Sequence, residues 1–244
     1  MATRSERRHT QDLQRQQKLL ARMDSGSATN FILVRHGQTD WNAEMRLQGH
    51  QDPGLSALGV QQAEELALAL REEPFDALYS SDLRRALQTA KAIAAARPGG
   101  IQIKTSARLR EQRLGVLEGL TLREAAVQHP EALRLLRADH DDTAVPGGET
   151  TGEMRQRVVD EIDRIASTHP GQTVLLVAHG GVLHAVYNHI VGHSYGGAIA
   201  NASLHRVRVQ GRVWAVVDWN VMPGAKAAAA AAAGESFGGG VAEG

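Results

Sequence analysis

The chain has 244 residues, of which 42% are hydrophobic, and its 27 Lys and Arg residues balance 27 Asp and Glu residues. This length suffices for one large core, and the balanced charge excludes a global field that would attract nucleic acid or an anionic membrane. The absence of cysteine excludes disulfides and thiolate chemistry and fits the reducing cytoplasm. No apolar stretch reaches the roughly 18 residues of a membrane helix, so we expect a cytoplasmic protein whose partners include neither nucleic acid nor membrane.

The two ends of the chain differ in composition from its middle. Residues 1–29 are rich in Arg and Gln and predict a flexible, partly helical N-terminal extension. Organelle targeting is the alternative for this segment, although its acidic residues disfavour it. Residues 30–222 form the predicted domain, and residues 223–244, rich in Ala and Gly, predict a disordered low-complexity tail.

Strand and helix patterns alternate between these ends. Short apolar runs predict buried strands, and Ser56, Thr121 and Thr150 are typical helix N-caps. The predicted strands are 31–34, 76–80, 101–104 and 174–178, with a hairpin of 204–209 and 213–219, and the predicted helices begin near residues 56, 82, 121, 150 and 181. This alternation predicts an α/β fold whose mostly parallel sheet is covered by helices on both faces. The hairpin offers an edge at which a homodimer can form.

Two predicted strands end in a His-Gly pair. The strand at 31–34 leads into Arg35-His36-Gly37, and the strand at 174–178 leads into His179-Gly180-Gly181. Ligands of parallel sheets bind beyond the carboxyl ends of the strands, so the two histidines face one crevice if their strands are neighbours. Glycine permits a sharp turn and a close approach of backbone to ligand. The pairing predicts a phosphate site.

Cationic side chains accompany these histidines. Arg35 precedes His36, and Arg84 and Arg85 stand at the start of a predicted helix, whose N-terminus also favours an anion. Guanidinium groups stabilise the charge that spreads over phosphoryl oxygens during transfer. His36 can attack phosphorus as a neutral imidazole whose other ring nitrogen donates to a backbone carbonyl.

The leaving alcohol of a phosphate ester needs a proton, which a carboxylic acid supplies. Glu111 and Glu118 are both candidates by residue type. Each predicted site residue also has a structural interpretation on its own, because a histidine at a strand end is often structural and Arg84 and Arg85 fit a solvated helix face. The co-occurrence of these residues in one chain favours the functional interpretation.

A metal enzyme is a further alternative. His189 and His193 are four residues apart, a spacing that places two ligands on one helix face. Gly192 indicates, however, that the helix ends before His193, and no Glu stands where a zinc hydrolase has its base. We therefore expect structural roles for these histidines.

The motifs follow one another in a fixed order across residues 30–220. They are Arg35-His36-Gly37-Gln38-Thr39-Asp40-Trp41-Asn42, Leu55-Ser56-Ala57-Leu58-Gly59, Ser81-Asp82-Leu83-Arg84-Arg85-Ala86, Glu111 with Gly115 and Glu118-Gly119, Pro146-Gly147-Gly148-Glu149, and Val177-Ala178-His179-Gly180-Gly181. In this order they resemble the histidine phosphatase superfamily in its phosphoglycerate mutase-like branch, and most closely the plant phosphoglycerate mutase-like phosphatases. The resemblance implies a three-layer α/β/α sandwich, and an enzyme that uses neither a metal nor another cofactor.

The resemblance also assigns roles to individual residues. His36 is the nucleophile that becomes phosphohistidine, and Glu111 is the proton donor. The phosphoryl oxygens are held by Arg35, by Arg85 and by His179, which is a cation or a hydrogen-bond donor. The family lines its phosphate and substrate pocket at the positions of Gly37, Asn42, Gln48, Gly49 and Gly180.

Departures from the family's mutases favour hydrolysis. Mutases carry Glu-Arg-x-Tyr-Gly around the acid and an Asn after the second His-Gly, whereas residues 111–115 contain no tyrosine and position 181 is Gly. The paired arginines that grip a bisphosphate are replaced by the separated Arg123, Arg134 and Arg137. We therefore expect a phosphomonoester hydrolase for a small phosphorylated metabolite, with a phosphoglycerate mutase and a non-catalytic phosphate-binding module as the alternatives.

Overall fold

The computed structural model describes residues 4–24, 26–138 and 141–223. The helices in these ranges are α1 (Arg4–Leu20), α2 (Asp40–Ala43), α3 (Ala57–Ala69), α4 (Arg84–Ala96), α5 (Leu122–Gln128), α6 (Pro130–Arg137), α7 (Thr151–Ser167) and α8 (Gly180–Val191). The strands are β1 (Thr29–Arg35), β2 (Ala77–Ser81), β3 (Ile103–Ser106), β4 (Thr173–Ala178), β5 (Leu204–Gln210) and β6 (Val213–Val221). Short 3₁₀ helices cover Ala107–Leu109 and Gly115–Leu117.

The described strands form one sheet with the order β3-β2-β4-β1-β5-β6. The first four strands in this order are parallel, and the β5-β6 hairpin adds two antiparallel strands beside β1. The central strands β1 and β4 are apolar along most of their length because both of their faces are covered. The mostly parallel sheet and the hairpin are confirmed, although β2 and β3 begin one and two residues later than the sequence predicts.

Helices cover both faces of the sheet. Side chains alternate along a strand, so β1 directs Phe31 and Leu33 into the core under α7 and α8, and Ile32 and Val34 into the core under α3 and α4. These two cores make the predicted three-layer α/β/α sandwich. A third apolar cluster joins α5 and α6 to the loop around Leu114, and this cap stands apart from the two main cores.

The predicted helix N-caps are confirmed by their hydrogen bonds. Ser56 Oγ accepts from the N–H of Gly59, at 3.1 Å. Thr121 and Thr150 form complete capping boxes with the Glu three residues later. Helix α8 ends at Val191 because Gly192 adopts a left-handed φ of 86°, as the sequence predicts.

The N-terminal segment contains helix α1, consistent with the partly helical extension that the sequence predicts, and its flexibility stays a prediction. Helix α1 lies against β6, where Gln16 Oε1 accepts from the N–H of Val216 at 2.9 Å. Asp12 contacts His193, beyond α8, at 2.9 Å. Because β6 is the last strand of the sheet, α1 covers part of the edge expected to form a homodimer, which stays a prediction. The tail predicted over residues 223–244 lies outside the described residues, Pro223 excepted.

None of the helices in the described ranges is both long enough and apolar enough to cross a membrane. The cytoplasmic location expected from the sequence stays a prediction.

The loop after β1 passes very close to the first turn of α3. A Cβ on Gly59 would lie 1.8 Å from the backbone oxygen of Gln38, a separation that real Cβ atoms do not show. Gly59→Ala therefore forces this loop and α3 apart, and we expect it to lower the free energy of unfolding by about 1–3 kcal/mol. Urea unfolding monitored by circular dichroism measures the loss.

Gly196→Ala is the matched control, because a Cβ on Gly196 meets no atom within 4 Å. We expect its unfolding free energy to stay within about 0.5 kcal/mol of the parent protein. Equal urea midpoints for the two variants would contradict the close approach.

Candidate active site

The two His-Gly pairs lie side by side at one edge of the sheet. Strands β1 and β4 are parallel neighbours, with Arg35 opposite Ala178. The N–H of His36 donates to the backbone oxygen of Ala178 at 3.0 Å, and the ring centroids of His36 and His179 are 5.2 Å apart. The shared crevice expected from the sequence is therefore present.

The imidazole of His36 is held in one tautomer. Its Nδ1 lies 2.7 Å from the backbone oxygen of Gly37, which can only accept, so Nδ1 carries the proton and Nε2 keeps its lone pair. Burial, reinforced by the charges of Arg85 and Arg35, holds the pKa of His36 well below its usual value. The predicted neutral imidazole with a carbonyl partner is the form that the structure favours.

Burial distinguishes Arg85 from Arg84. Arg84 is exposed, whereas Arg85, in the first turn of α4, is 1% exposed and donates to the backbone oxygens of Gln51 and Gly49 at 2.8 and 2.9 Å. Arg35 is anchored in a similar way through the backbone oxygen of Ile199. Burial lowers the pKa of both buried guanidinium groups, and the carboxylate of Glu111 opposes this shift. Both arginines are thus fixed cations beside His36.

Several buried polar atoms at this site have no hydrogen-bond partner within the protein. They are Nε of Arg35, Nε of Arg85, both ring nitrogens of His179 and the amide oxygen of Gln48. Among the described residues the other buried side-chain atoms of this kind belong to Gln16 and Trp219, far along the chain from these motifs. Native proteins pair nearly all buried polar groups, so this cluster of unpaired atoms marks a candidate binding site, and its guanidinium donors match the oxygen atoms of a phosphate.

The sequence leaves two forms open for His179, a cation or a hydrogen-bond donor, and the structure favours the donor. Burial, followed by the charge of Arg85, holds its pKa well below the usual value, so its unliganded ring is neutral. A neutral imidazole still donates one hydrogen bond, and this is the role that the site permits.

The two candidate carboxylates occupy different environments. Glu111 lies at the cavity, where its Oε2 accepts from the N–H of Gly181 at 3.0 Å and its Oε1 accepts from the N–H of Gln112 at 2.8 Å. Glu118 accepts from the N–H groups of His50 and Leu114 and thereby ties two loops together. The structure therefore places Glu111 with the histidines and gives Glu118 a structural role.

An ion pair supports the loop that carries Glu111. Arg157 of α7 contacts Glu149 at 2.6 and 2.9 Å and donates to the backbone oxygen of Glu111 at 2.8 Å. Arg110, next in the chain, forms two hydrogen bonds with Asp82 at 2.6 and 2.8 Å. The Glu149 of the Pro-Gly-Gly-Glu motif is thus a structural support for the acid, a contact between distant segments that local sequence patterns do not reveal.

His36, Arg35, Arg85 and Glu111 line a cavity of about 270 Å³. His179, whose ring lies beside that of His36, is fully buried and is not part of the cavity wall. Asn42, Gln48 and Gly49 line the cavity as the sequence predicts. Gly37 and Gly180 are sequence neighbours of the lining residues His36 and Gly181 but are not themselves part of the cavity wall. Six lining residues were not predicted as site residues from the sequence: Arg46, Leu47, Gln112, Leu114, Leu136 and Gly181. The three leucines come from the cap and its adjoining loops, and no motif marks them.

The histidines considered as metal ligands have other contacts. His189 packs edge-on against Trp214, with ring centroids 4.9 Å apart, and His193 contacts Asp12. Within the described ranges no group of three or more His, Cys, Asp or Glu side chains is arranged to hold a metal ion.

Comparison with known proteins identifies the family. The family model described as histidine phosphatase superfamily (branch 1) matches residues 31–222. The chain belongs to this superfamily. It is 38% identical to the metal-independent phosphoserine phosphatase of Arabidopsis thaliana, in an alignment that covers 79% of this chain and 81% of that protein. It is 36% identical to a probable phosphoglycerate mutase of Shigella boydii, in an alignment that covers 78% of this chain and 89% of that protein.

Solved structures of this histidine phosphatase superfamily support the same fold. A mycobacterial glucosyl-3-phosphoglycerate phosphatase, solved with VO3, superposes with a TM-score of 0.70 at 30% identity, covering 79% of this chain and 99% of that one. The chain is thus similar both to phosphatases and to a probable mutase of the same superfamily.

A buried histidine near the active site makes folding sensitive to acid. His205 Nδ1 accepts from the N–H of Asn220 at 3.1 Å, its Nε2 contacts Ser203 Oγ at 3.0 Å, and burial lowers its pKa to about 3. Below about pH 6.5 His205 binds a proton in the unfolded chain but stays neutral in the folded protein. The free energy of unfolding therefore decreases as the pH falls below about 6.5. Each such histidine contributes about 1.4 kcal/mol per pH unit.

We expect the free energy of unfolding to fall from pH 7 to pH 5, and the slope to be smaller in His205→Gln than in the parent protein. Urea unfolding at pH 7, 6 and 5 measures both slopes. A profile that is flat in the parent, or equally steep in both proteins, would count against a neutral buried His205.

Proposed function

We propose that this protein is a metal-independent phosphomonoester hydrolase that acts through a phosphohistidine at His36 on a small phosphorylated metabolite. The supporting observation is the cluster of buried, unpartnered donors from Arg35, Arg85 and His179 around the neutral ring of His36. Glu111, held at the same cavity, adds a proton donor. The activities named for the relatives, on phosphoserine and glucosyl-3-phosphoglycerate, are consistent with a small phosphorylated substrate.

In the first step, Nε2 of His36 forms a bond to phosphorus while the bond from phosphorus to the leaving oxygen breaks. Glu111 transfers its proton to that oxygen, and the alcohol departs. Arg35 and Arg85 stabilise the charge on the phosphoryl oxygens throughout, because their cations are fixed before the substrate binds. The backbone oxygen of Gly37 stabilises the proton that remains on Nδ1.

In the second step, water attacks phosphorus and gives a proton to the carboxylate of Glu111. The N–P bond breaks, inorganic phosphate leaves and Nε2 regains its lone pair. The acid is thereby protonated again for the next ester. Each oxygen of Glu111 accepts one backbone N–H and keeps a second lone pair for this proton.

The cap favours hydrolysis over mutase activity. Arg123 and Arg137 are exposed, and Arg134 pairs with the exposed Glu131 at 2.6 Å, so none of the three reaches the cavity. Without paired cations to retain a bisphosphate, the first product leaves and water reaches the phosphohistidine. A phosphoglycerate mutase, the activity named for the Shigella relative, is the alternative.

A non-catalytic phosphate-binding module is less well supported. Binding phosphate requires the arginines and His179 but neither a nucleophile in a fixed tautomer nor a carboxylate held by two backbone N–H groups. Both features accompany the phosphate-binding groups here, which favours an enzyme.

We also keep a cytoplasmic location and a homodimer as proposals. The cysteine-free sequence fits a reducing compartment, and the exposed part of the β5-β6 hairpin offers an edge for pairing.

We expect His36→Ala to abolish phosphatase activity, because no other neutral ring nitrogen at the site is held in position to attack. Release of phosphate from p-nitrophenyl phosphate, measured in a chelator without added metal, tests this. When the reaction with labelled substrate is stopped rapidly without acid, the parent protein should carry a phosphate bound to a histidine nitrogen, and the variant should carry none.

His189→Ala is the control, since this ring packs on Trp214 away from the cavity, and it should retain activity. Activity that survives in His36→Ala would disprove the mechanism. Efficient interconversion of 2- and 3-phosphoglycerate after priming with 2,3-bisphosphoglycerate would favour the mutase instead.

We expect Glu111→Gln to lower kcat for the hydrolysis of alkyl phosphates by about 10²–10⁴-fold and kcat for aryl phosphates much less. An aryl oxide is a good leaving group and needs little protonation in the transition state. The kcat values for glycerol 3-phosphate and p-nitrophenyl phosphate measure the difference. Glu118→Gln is the matched control and should affect both esters equally. Equal losses for both esters in Glu111→Gln would show that Glu111 is not the acid.

A further inference from the structure

A second, larger cavity adjoins the catalytic cavity. Its volume is about 530 Å³, within the range of small-molecule sites, and it lies between the first turns of α7, the outer face of α8 and the loop after α8. The two cavities share three wall residues, Gln112, Leu136 and Gly181. The second cavity therefore continues the catalytic one on the side of Glu111.

The proton donor stands at the junction of the two cavities. Glu111 accepts from the backbone N–H groups of Gly181 and Gln112, and both of these residues line both cavities. The oxygen that leaves phosphorus must approach Glu111 to receive its proton, so the carbon chain on that oxygen starts at this junction. With phosphate held among the arginines, the second cavity is the space that this chain enters.

The junction is open because residue 181 has no side chain. A Cβ there would lie 2.2 Å from Oε1 of Glu111, so any other residue would displace the acid and narrow the passage. Gly181 thus serves both the placement of the acid and the access to the second cavity.

The walls of the second cavity favour an uncharged, hydroxyl-rich group. Its described Asp and Arg side chains, Asp141 and Arg155, pair with each other through two hydrogen bonds, so together they add no net charge that would favour a carboxylate or an ammonium. The remaining polar groups are the side chains of Thr151, His184, Asn188, Ser194 and Gln112. Asn188 donates to Ser194 Oγ at 3.4 Å and Gln112 to Thr151 Oγ1 at 3.5 Å, and each amide oxygen keeps its capacity to accept. Hydroxyl, amide and imidazole groups both donate and accept, as alcohol hydroxyls do.

We propose that the second cavity binds the alcohol part of the substrate, and that this part is a neutral polyhydroxylated chain or ring longer than three carbons. This inference rests on the proposed phosphatase function and adds the substrate class to it. Polyol and sugar phosphates fit both cavities at once, whereas three-carbon esters reach only the junction.

Four esters test the substrate class: glucitol 6-phosphate, glycerol 3-phosphate, phosphoserine and 3-phosphoglycerate. We expect kcat/KM for glucitol 6-phosphate to exceed that of each three-carbon ester by roughly tenfold or more, because the longer polyol adds hydrogen bonds in the second cavity. Comparable values for glucitol 6-phosphate and glycerol 3-phosphate, or a preference for either charged ester, would overturn the proposal.

Variants of the cavity wall test its location. Asn188→Leu should lower kcat/KM for glucitol 6-phosphate roughly five- to tenfold, the effect of about one lost hydrogen bond, and leave glycerol 3-phosphate unchanged. Ser194→Ala, a smaller change, should lower the same value about two- to fivefold and serves if the first variant does not fold. Gln156→Leu on the exposed side of α7 is the matched control and should alter neither ester.

The two hypotheses fail in different ways. Turnover of all four esters with no effect of Asn188→Leu or Ser194→Ala on glucitol 6-phosphate would refute the second cavity and leave the phosphatase intact. No turnover of any of the four esters, together with no phosphate on His36, would refute the proposed function itself.

Discussion

The burial of two guanidinium groups and two imidazoles around one small cavity is the constraint on which the rest of the structure depends. Leaving a buried donor or acceptor without a partner costs about 1–3 kcal/mol, and five such atoms lie at this site. The fold tolerates this cost because Arg35 and Arg85 are anchored through their other nitrogens to backbone oxygens. In the proposed function a phosphoryl group accepts from Nε of Arg35, from Nε of Arg85 and from one ring nitrogen of His179, so part of this cost is recovered on binding.

The parallel sheet makes this arrangement rigid. Strands β1 and β4 deliver the two histidines from adjacent carboxyl ends, and β2 delivers the first turn of α4 with Arg85. The acid comes from a loop instead, and loops need other supports. Two ion pairs on either side of Glu111 supply them: Arg110 joins the loop to Asp82 before α4, and Arg157 joins it to α7 and Glu149. His36 and Glu111 are thereby fixed relative to each other through side chains rather than through the sheet.

Local patterns predicted the parts of the structure that depend on neighbours in sequence. The apolar runs of β1 and β4, the caps at Ser56, Thr121 and Thr150, and the end of α8 at Gly192 are encoded within a few residues. Residue type alone left Glu111 and Glu118 equivalent, because the difference between them lies in contacts with Gly181 and His50, distant in the chain. The packing of α1 against β6 could not be predicted for the same reason. It depends on the side-chain amide of Gln16, which accepts from the N–H of Val216, 200 residues further along the chain.

Gly181 connects the chemistry of the site with its selectivity. Its N–H holds one oxygen of Glu111, and the space where its Cβ would be is taken by the other oxygen. A side chain at position 181 of this chain would require Glu111 to shift, because its Cβ would lie 2.2 Å from Oε1 of Glu111. The absence of a side chain at Gly181 therefore affects two features together. It fixes the position from which Glu111 would deliver its proton, and it leaves space beside Glu111 for the leaving group. In the proposed phosphatase this arrangement gives the leaving alcohol room beside Glu111, and that space is the physical ground on which we propose a bulkier ester as the substrate.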